Sequence, residues 1–547
     1  MDINADQFSS DNYLGFTNMM GLLQEGMDNV YYDGAPFVRY NRQELTPATA
    51  TVTFDFQKYG IDLRGDDTAV YFPLATISDI YSDLYYHVAG YNGEKVIVIT
   101  ENQKSEIAKL EPERSLALLK TPSRGADMAA YSYGELCFVV DHFYGMPGRS
   151  PFESIIMSEG LDKAIDQVDN GATIKQLLKS TSMPEYILGL DCLQSVLNDG
   201  GHTLTVADLL IYKALEEYED QGLEVWMSVL ELWESQYPEL VEMIKETMMG
   251  MGKPQEEIIG DIRPFEGTYY KEGDTAYLML GGFGPTNNAA WKAYYEGGCT
   301  GPTPAIDEVF PNDMSVVLDA LKQADEDPEV KNLVIDLATN HGGSLDVVLA
   351  MTALMGGQSH MYCENILTGQ RQIVYYDVDC NFDGKFDELD KEVKYDLNFA
   401  VLTSGVAFSC GNLFPSLMKD MGFPIIGEKS GGGACAIQNF ITPEGLQYQL
   451  SSARARLTDK NWQNIDSGVE PTFVIDTSTF DYSSFYDVPY ISSLISQATN
   501  ITVPPIYSDS SVAKATQGKW YTLDGRCLQA QPTEKGIFIH NGRKVRQ

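Results

Sequence analysis

Apolar and polar residues are arranged with different periods in successive parts of this chain. In residues 1–125, ATATVTFDFQKYGIDL alternates, TAVYFPLATISDIYSDL predicts a strand running into a short helix, and EKVIVITENQ predicts a further strand. In residues 126–262, apolar positions recur every three or four residues in PEYILGLDCLQSVLND, TVADLLIYKALEEYEDQ and LEVWMSVLELWESQYPELVEMIKETMMGM, which predicts helices. We expect the glycines and prolines of MGKPQEEIIGDIRPFEG to end this helical domain.

Strands and helices alternate in residues 263–480. Strands are predicted at TAYLMLGGF, KNLVIDLATNHGGS, NFAVLTS and FPIIGE, with amphipathic helices at MSVVLDALKQADED and LDVVLAMTALMGG and after Ser409. Continuous apolar strands separated by helices predict an α/β fold with a layered core. The core is preceded by the β-rich N-terminal module and the helical domain. Residues 481–547 predict a linker, TNITVPPIYSDSSVAKATQG, and a small C-terminal β tail.

Charge and composition exclude several function classes. The 547 residues carry a net charge of −40, which repels nucleic acid and anionic lipid. No run of 18 apolar residues predicts a membrane span, and MDINADQFSS has no basic or apolar leader region. The eight cysteines include no CxxC pair, so the sequence allows either scattered core thiols or a few disulfides.

The segment GVAFSCGNLFPSLMKD places Ser409 at the first turn of a predicted helix that follows a strand. That position leaves backbone N–H groups free beside the positive end of the helix dipole, which suits a nucleophile awaiting an oxyanion. It equally suits an ordinary N-cap serine. In DLATNHGGSL, the glycines that follow Asn340-His341 expose backbone amides, which either face an anion or simply form a turn.

Four sequence blocks together resemble one enzyme family. VIDLATNHGGSLDVVLAM resembles the DLRxNxGG strand-turn of the tail-specific (C-terminal processing) proteases and the tricorn core protease. The nucleophile helix and GExTxG strand of these proteases are similar to FSCGNLFPSLMKD and IIGEKSGGG. Their IExxGVxPDxxV ending is similar to NIDSGVEPTFVID. The LxDxHTxL segment of the tricorn-like branch is similar to CLQSVLNDGGHTLTV. The resemblance implies a ClpP/crotonase-like protease core. It also implies a serine endopeptidase that acts on peptides or unfolded protein segments with no cofactor in its chemistry.

The same resemblance implies a role for each matching residue. Ser409 corresponds to the nucleophile, His202 to the base, and Asp466 to the acid that orients the imidazole. The N–H of Cys410 and that of Gly342 or Gly343 would form the oxyanion hole.

Three alternatives remain open at this point. The processing branch uses a lysine base, and the matching position in this sequence falls within the glycines 431–433, which Ala434 follows. A serine–lysine dyad would therefore need Lys429, which lies at a different position relative to the motif. His341 is a rival base because it precedes Gly342. A catalytically inactive peptide-binding protein on the same scaffold is the third alternative.

The segment DVDCNFDGKFDELD has the oxygen-ligand spacing of an EF-hand loop, with Gly384 at the sharp turn. The predicted calcium ligands are Asp379, Asn381, Asp383, the Lys385 carbonyl, Asp387 and Asp390. Aspartate replaces the usual bidentate glutamate at the last place, and a solvated acidic turn is the alternative. We expect a structural calcium ion.

The tail WYTLDGRCLQAQPTEKGIFIHNGRKVRQ resembles C-terminal segments common on secreted and surface proteins of Bacteroidetes. With the calcium-type spacing, it predicts an exported protein whose signal peptide has been removed.

Overall fold

Helices and strands occupy most of the residues that the computed structural model describes, namely 1–13, 17, 35–66, 68–81, 87–100, 108–204, 206–251, 254–284, 288–306, 314–500, 520–521, 527–528, 537–540 and 543–546. The strands are β1 (Gln7–Ser10), β2 (Val38–Leu45), β3 (Val52–Asp55), β4 (Arg64–Gly65), β5 (Val70–Tyr71), β6 (His87–Tyr91), β7 (Val96–Thr100), β8 (Tyr269–Glu272), β9 (Thr275–Met279), β10 (Asn332–Asp336), β11 (His360–Asn365), β12 (Gln370–Val378), β13 (Asn398–Thr403), β14 (Ile425–Gly427), β15 (Cys435–Ile441), β16 (Gln447–Thr458), β17 (Phe473–Val474), β18 (Trp520–Tyr521), β19 (Cys527–Leu528), β20 (Ile537–His540) and β21 (Arg543–Arg546). The α-helices are α1 (Leu74–Tyr81), α2 (Glu111–Lys120), α3 (Ala126–Phe143), α4 (Glu153–Glu159), α5 (Leu161–Ile165), α6 (Gly171–Leu178), α7 (Met183–Leu197), α8 (Val206–Gln236), α9 (Pro238–Met251), α10 (Pro254–Ile262), α11 (Asn288–Glu296), α12 (Met314–Glu326), α13 (Leu345–Gly356), α14 (Cys410–Asp420) and α15 (Val488–Asn500).

A six-stranded sheet in the order β17-β14-β13-β10-β9-β8 forms the centre of the protease core. Its strands are parallel except β8, which pairs antiparallel to β9 at one edge. All five residues of β10 are buried, since parallel sheets are covered on both faces. Leu333 and Ile335 pack on the face covered by α12, α13 and α14, whereas Val334 packs on the face covered by α15. The predicted α/β layered core is therefore confirmed.

A second sheet, in the order β15-β16-β11-β12-β2, is antiparallel and carries residues of the candidate site. Its strand β2 comes from the predicted N-terminal module and pairs with β12 along Val38–Leu45, with a bulge between Tyr375 and Tyr376. The N-terminal residues thus extend a sheet whose other strands come from the core.

The helices between 126 and 262 form a core together with the second sheet. Phe138 of α3 and Leu193 of α7 share one apolar cluster with Phe440 and Tyr448 of β15 and β16. Helix α10 differs from our expectation, because MGKPQEEIIGDIRPFEG contains a helix rather than only a boundary. Pro254 is the first residue of that helix, where a missing N–H leaves no hydrogen bond unmade.

By compactness the chain divides into Met1–Asn500 and Ile501–Gln547. The second unit contains a sheet in the order β19-β18-β20-β21, in agreement with the small β tail predicted from the sequence. The boundaries at 125, 262 and 480 stay predictions. Seven cysteines are free thiols in the part of the chain described with side chains. Within the described residues, no helix combines the length and apolar character that crossing a bilayer needs.

Candidate active site

Ser409 lies between β13 and the first residue of α14 in a backbone conformation that few side chains adopt. Its φ is 55° and its ψ is −120°, a combination that costs about 1–3 kcal/mol outside glycine. Its side chain makes no capping hydrogen bond to the helix, so the N-cap alternative is not realised here. The half-buried Ser409 is therefore presented at the helix start, and no described residue forms a hydrogen bond with its hydroxyl.

The glycine turn after β10 packs directly against Ser409. The Asn340 side chain holds this turn, since its Oδ1 accepts from Gly342 N–H at 2.8 Å and its Nδ2 donates to the Leu280 carbonyl at 2.9 Å. A Cβ on Gly342, whose φ is 100°, would lie 2.6 Å from Ser409 Cβ. Only glycine fits that position without displacing Ser409.

Two backbone N–H groups at this turn and helix start suit an oxyanion hole. Cys410 N–H has no hydrogen-bond partner among the described residues. Gly343 N–H donates to the Cys410 thiol, whose pKa burial raises to about 12. Gly342 N–H is held more firmly, because the amide oxygen of Asn340 accepts from it, whereas a thiol sulfur is a weak acceptor. Of the three residues predicted for the oxyanion hole, Cys410 and Gly343 offer the N–H groups. Gly342, which has no side chain, leaves room for Ser409.

The loop that carries His202 is bonded to strand β16 of the second sheet. Leu204 and Gln449 exchange backbone hydrogen bonds at 3.0 Å, and His202 N–H donates to Ser451 Oγ at 3.0 Å. The buried Asp199 carboxylate accepts from Thr203 Oγ1 at 2.6 Å and from Ser451 Oγ at 3.2 Å. These bonds fix a loop from the helical region onto the core.

The His202 imidazole lies beside the nucleophile segment. Its ring centroid is 5.0 Å from that of Phe408, the residue before Ser409. Its Nδ1 is buried and has no hydrogen-bond partner among the described residues. Burial lowers the pKa of His202, while the charge of Asp466 and a backbone hydrogen bond at Cys435 oppose that shift. No hydrogen bond joins His202 to Ser409 within the described residues.

Asp466 is fully buried next to the glycine run 431–433. Its Oδ1 accepts from Gly433 N–H at 3.2 Å and its Oδ2 from Cys435 N–H at 2.6 Å. Asn412 of α14 ties this segment to the nucleophile helix, because its Nδ2 donates to the Ile465 carbonyl at 3.0 Å. The carboxylate thus acts on His202 through its charge in this conformation, without a direct hydrogen bond.

The two rival bases have other partners. His341 is 53% exposed at its side chain, and its Nε2 pairs with Glu256 at 2.8 Å. Lys429 is 42% exposed and pairs with Glu470 at 3.0 Å. Within the described residues, neither side chain forms a hydrogen bond or an ion pair with Ser409.

The predicted calcium loop closes on itself through carboxylate-to-backbone hydrogen bonds. Asp379 accepts from Asp383 N–H at 3.1 Å and from Gly384 N–H at 2.8 Å, and Gly384 has a φ of 83°. Asp390 accepts from Cys380 N–H at 2.8 Å, which brings the last place of the loop to its second place. Asn381 accepts from Asp383 N–H, Asp383 from Lys385 N–H, and Asp387 from Leu389 N–H. In the described residues, no three acidic, histidine or cysteine side chains converge as a metal-binding group.

Four residues that contact the site segments were not among the predicted site residues: Asp199, Asn340, Asn412 and Arg149, whose guanidinium donates to the Gly200 and Gly431 carbonyls. Asp199 and Asn340 lie inside the blocks that carry the resemblance, so their motifs could have indicated them. Asn412 follows the serine by three residues with no pattern to mark it. Arg149 lies outside every block, and no sequence signal points to it.

Comparison with known proteins identifies the class of this chain. Residues 303–475 match the model of peptidase family S41. With the layered core and the serine described above, this match defines the chain as a serine-type peptidase. Residues 303–475 are therefore similar to the peptidase domain of family S41, to which the tail-specific proteases belong.

The solved structures that match this chain share little sequence with it. A protein from Parabacteroides merdae ATCC 43184 that is assigned as a peptidase is 15% identical, with 60% of this chain and 89% of that chain covered and a TM-score of 0.34. The photosystem II D1 C-terminal processing protease is 16% identical, with 40% and 46% covered and a TM-score of 0.27. The tricorn protease is 15% identical, with 45% and 19% covered and a TM-score of 0.25. No curated protein matches the chain.

Proposed function

We propose that this protein is an endopeptidase that cleaves peptides or unfolded protein segments with a Ser409-His202-Asp466 triad. His202 takes the proton of Ser409 Oγ as that oxygen attacks the scissile carbonyl carbon. The C–N bond then breaks, and the imidazolium returns the proton to the leaving amine. Water hydrolyses the resulting acyl-enzyme by the same route in reverse.

The observation that carries this proposal is the packing of the His202 ring on Phe408, directly beside Ser409. It brings an imidazole from the helical region to the residue next to the nucleophile. Catalytic hydrogen bonds often tighten only in the substrate complex, so the bond between Ser409 Oγ and the imidazole would form once substrate closes the site. Asp466 supports the charged imidazole by its buried negative charge.

The N–H groups of Cys410 and Gly343 would receive the oxyanion. Both belong to backbone, so the cysteine at position 410 is compatible with this role. The dipole of α14 adds a positive potential at the same point.

Labelling by a fluorophosphonate probe and cleavage of an unfolded protein test the triad against a lysine dyad. We expect both activities to vanish in Ser409→Ala and to fall by about 10³-fold or more in His202→Ala. Lys429→Ala is the matched control and should retain both. Labelling that survives His202→Ala but not Lys429→Ala would contradict the triad. Intact peptide binding without any labelling of the wild-type protein would favour a binding protein.

We also propose that residues 379–390 bind a structural calcium ion. The turn at Gly384 and the closure of Asp390 onto Cys380 support an EF-hand-type loop. Calcium should raise the melting temperature of the wild-type protein, and Asp379→Asn should abolish that shift. Asp377→Asn is the control, because Asp377 is a half-buried neighbour that pairs with Arg39 and lies outside the loop. No shift at about 10 mM calcium would contradict the proposal.

We further propose that the protein is exported. The calcium-type loop suits a compartment rich in calcium, and the tail sequence resembles those of secreted Bacteroidetes proteins. Cell fractionation with an antibody to the protein should find it outside the cytoplasm, and recovery in the cytoplasmic fraction would contradict export.

A further inference from the structure

Arg149 lies in the loop between α3 and α4, and its backbone is held in place. Gly148 N–H and Arg149 N–H donate to Glu153 Oε1 at 2.9 and 3.2 Å. Glu153 belongs to the first turn of α4. The guanidinium of Arg149 therefore projects from a fixed starting point.

The Arg149 guanidinium bonds two loops that carry different parts of the active site. Its Nη2 donates to the Gly431 carbonyl, and its Nη1 donates to the Gly200 carbonyl at 3.4 Å. Gly200 is two residues before His202. Gly431 begins the glycine run, in which the next residue, Gly432, accepts from Ser409 N–H at 2.8 Å.

The packing around Gly432 shows how closely these parts meet. A Cβ on Gly432 would overlap both Arg149 Nη2 and the Asp466 carbonyl oxygen. The guanidinium thus lies against the backbone that separates Ser409 from Asp466. One side chain spans the base loop, the acid segment and the glycine run that hydrogen-bonds to the nucleophile.

We propose that Arg149 is a positioning residue that fixes the distance between His202 and Ser409. This inference rests on the proposed triad. A planar guanidinium donates in two directions at once, which a lysine ammonium on a single flexible stem does not reproduce. Because a misplacement of about 1 Å can reduce turnover by about 10²-fold, loosening the two loops lowers kcat. Arg149 contacts backbone rather than the substrate, so KM stays close to its wild-type value.

The test compares Arg149→Lys with Arg456→Lys. Arg456 is the matched control, since its guanidinium donates to Met146 O at 3.2 Å in the same loop and to Glu364, but not to the base loop or the glycine run. We expect Arg149→Lys to lose about 10–100-fold in kcat with KM within threefold, and Arg456→Lys to stay within threefold in both. Added guanidinium or ethylguanidinium should partly restore kcat in Arg149→Ala.

Thermal unfolding of each variant separates positioning from folding. A loss of activity in Arg149→Lys that merely follows its loss of folded protein would overturn the proposal, as would wild-type kcat in the folded variant. His202→Ala, assayed in parallel, keeps the two proposals apart. Full activity of His202→Ala refutes the triad itself, whereas an inactive His202→Ala beside a fully active Arg149→Lys refutes only the role of Arg149.

Discussion

Replacing Gly342 by alanine adds one methyl group at the point where the glycine turn meets the nucleophile. The new Cβ would lie 2.6 Å from Ser409 Cβ, 2.8 Å from Phe408 O and 3.1 Å from Cys410 N. The first distance is about 0.8 Å inside ordinary van der Waals contact, so Ser409 or the turn must move by that amount. A shift of this size should lower kcat/KM by about 10²-fold.

The same substitution also reduces stability. A φ of 100° disfavours alanine by about 1–2 kcal/mol, and overpacking adds about 1–3 kcal/mol. We therefore expect the free energy of unfolding to fall by about 2–5 kcal/mol. Gly357→Ala is the matched control, because Gly357 has a φ of 70° at the end of α13 but nothing within 4 Å of its Cβ position. It should lose about 1–2 kcal/mol and keep its activity.

Urea unfolding and the hydrolysis of a fluorogenic peptide measure the two effects separately. Each rate is divided by the folded fraction at the assay temperature, so that a loss of folded protein is not counted as a loss of catalysis. If Gly342→Ala matched Gly357→Ala in both stability and corrected rate, the close approach of the turn to Ser409 would play no part in catalysis, and the geometry described here would be refuted.

Two further predictions concern the base and the acid. The imidazole of His202 must be neutral to accept a proton, and burial lowers its pKa. The acid limb of kcat/KM against pH should therefore have its midpoint below 6.5. A midpoint above 6.5 in a pH-rate profile would contradict this expectation. Asp466→Asn removes a charge that raises the same pKa, so kcat should fall by about 10²-fold or more while the acid limb moves to still lower pH. An acid limb that moves upward in that variant would show that Asp466 does not act on the imidazole.

Much of the core could be predicted because its signals are local. The continuous apolar run of β10 and the apolar periodicity of α13 each determine an element within a dozen residues. The helix α10 was missed because proline and glycine usually interrupt helices, whereas Pro254 occupies the one position that tolerates it. Pairing of β2 with β12 was not predictable, because period-two alternation does not identify a partner strand.

Part of the candidate site could likewise be predicted from short sequence blocks, and part of it could not. Ser409 and His202 were predicted from short blocks in a fixed order, and those blocks also contain Asp199 and Asn340. The contacts of Arg149 with Gly200 and Gly431 join segments far apart in the chain. In both contacts the acceptor is a backbone carbonyl, which any residue supplies. Such a contact leaves no trace in the residue types of one sequence.

The glycine run explains why an imidazole suits this site better than a lysine. A side chain at Gly432 would overlap the Asp466 carbonyl oxygen, and one at Gly433 would overlap the ring of Phe408. The same Phe408 ring packs against His202. A lysine base at Gly432 or Gly433 would therefore have to displace either the acid segment or the aromatic ring that supports the histidine, so at these two positions the two kinds of base exclude each other sterically.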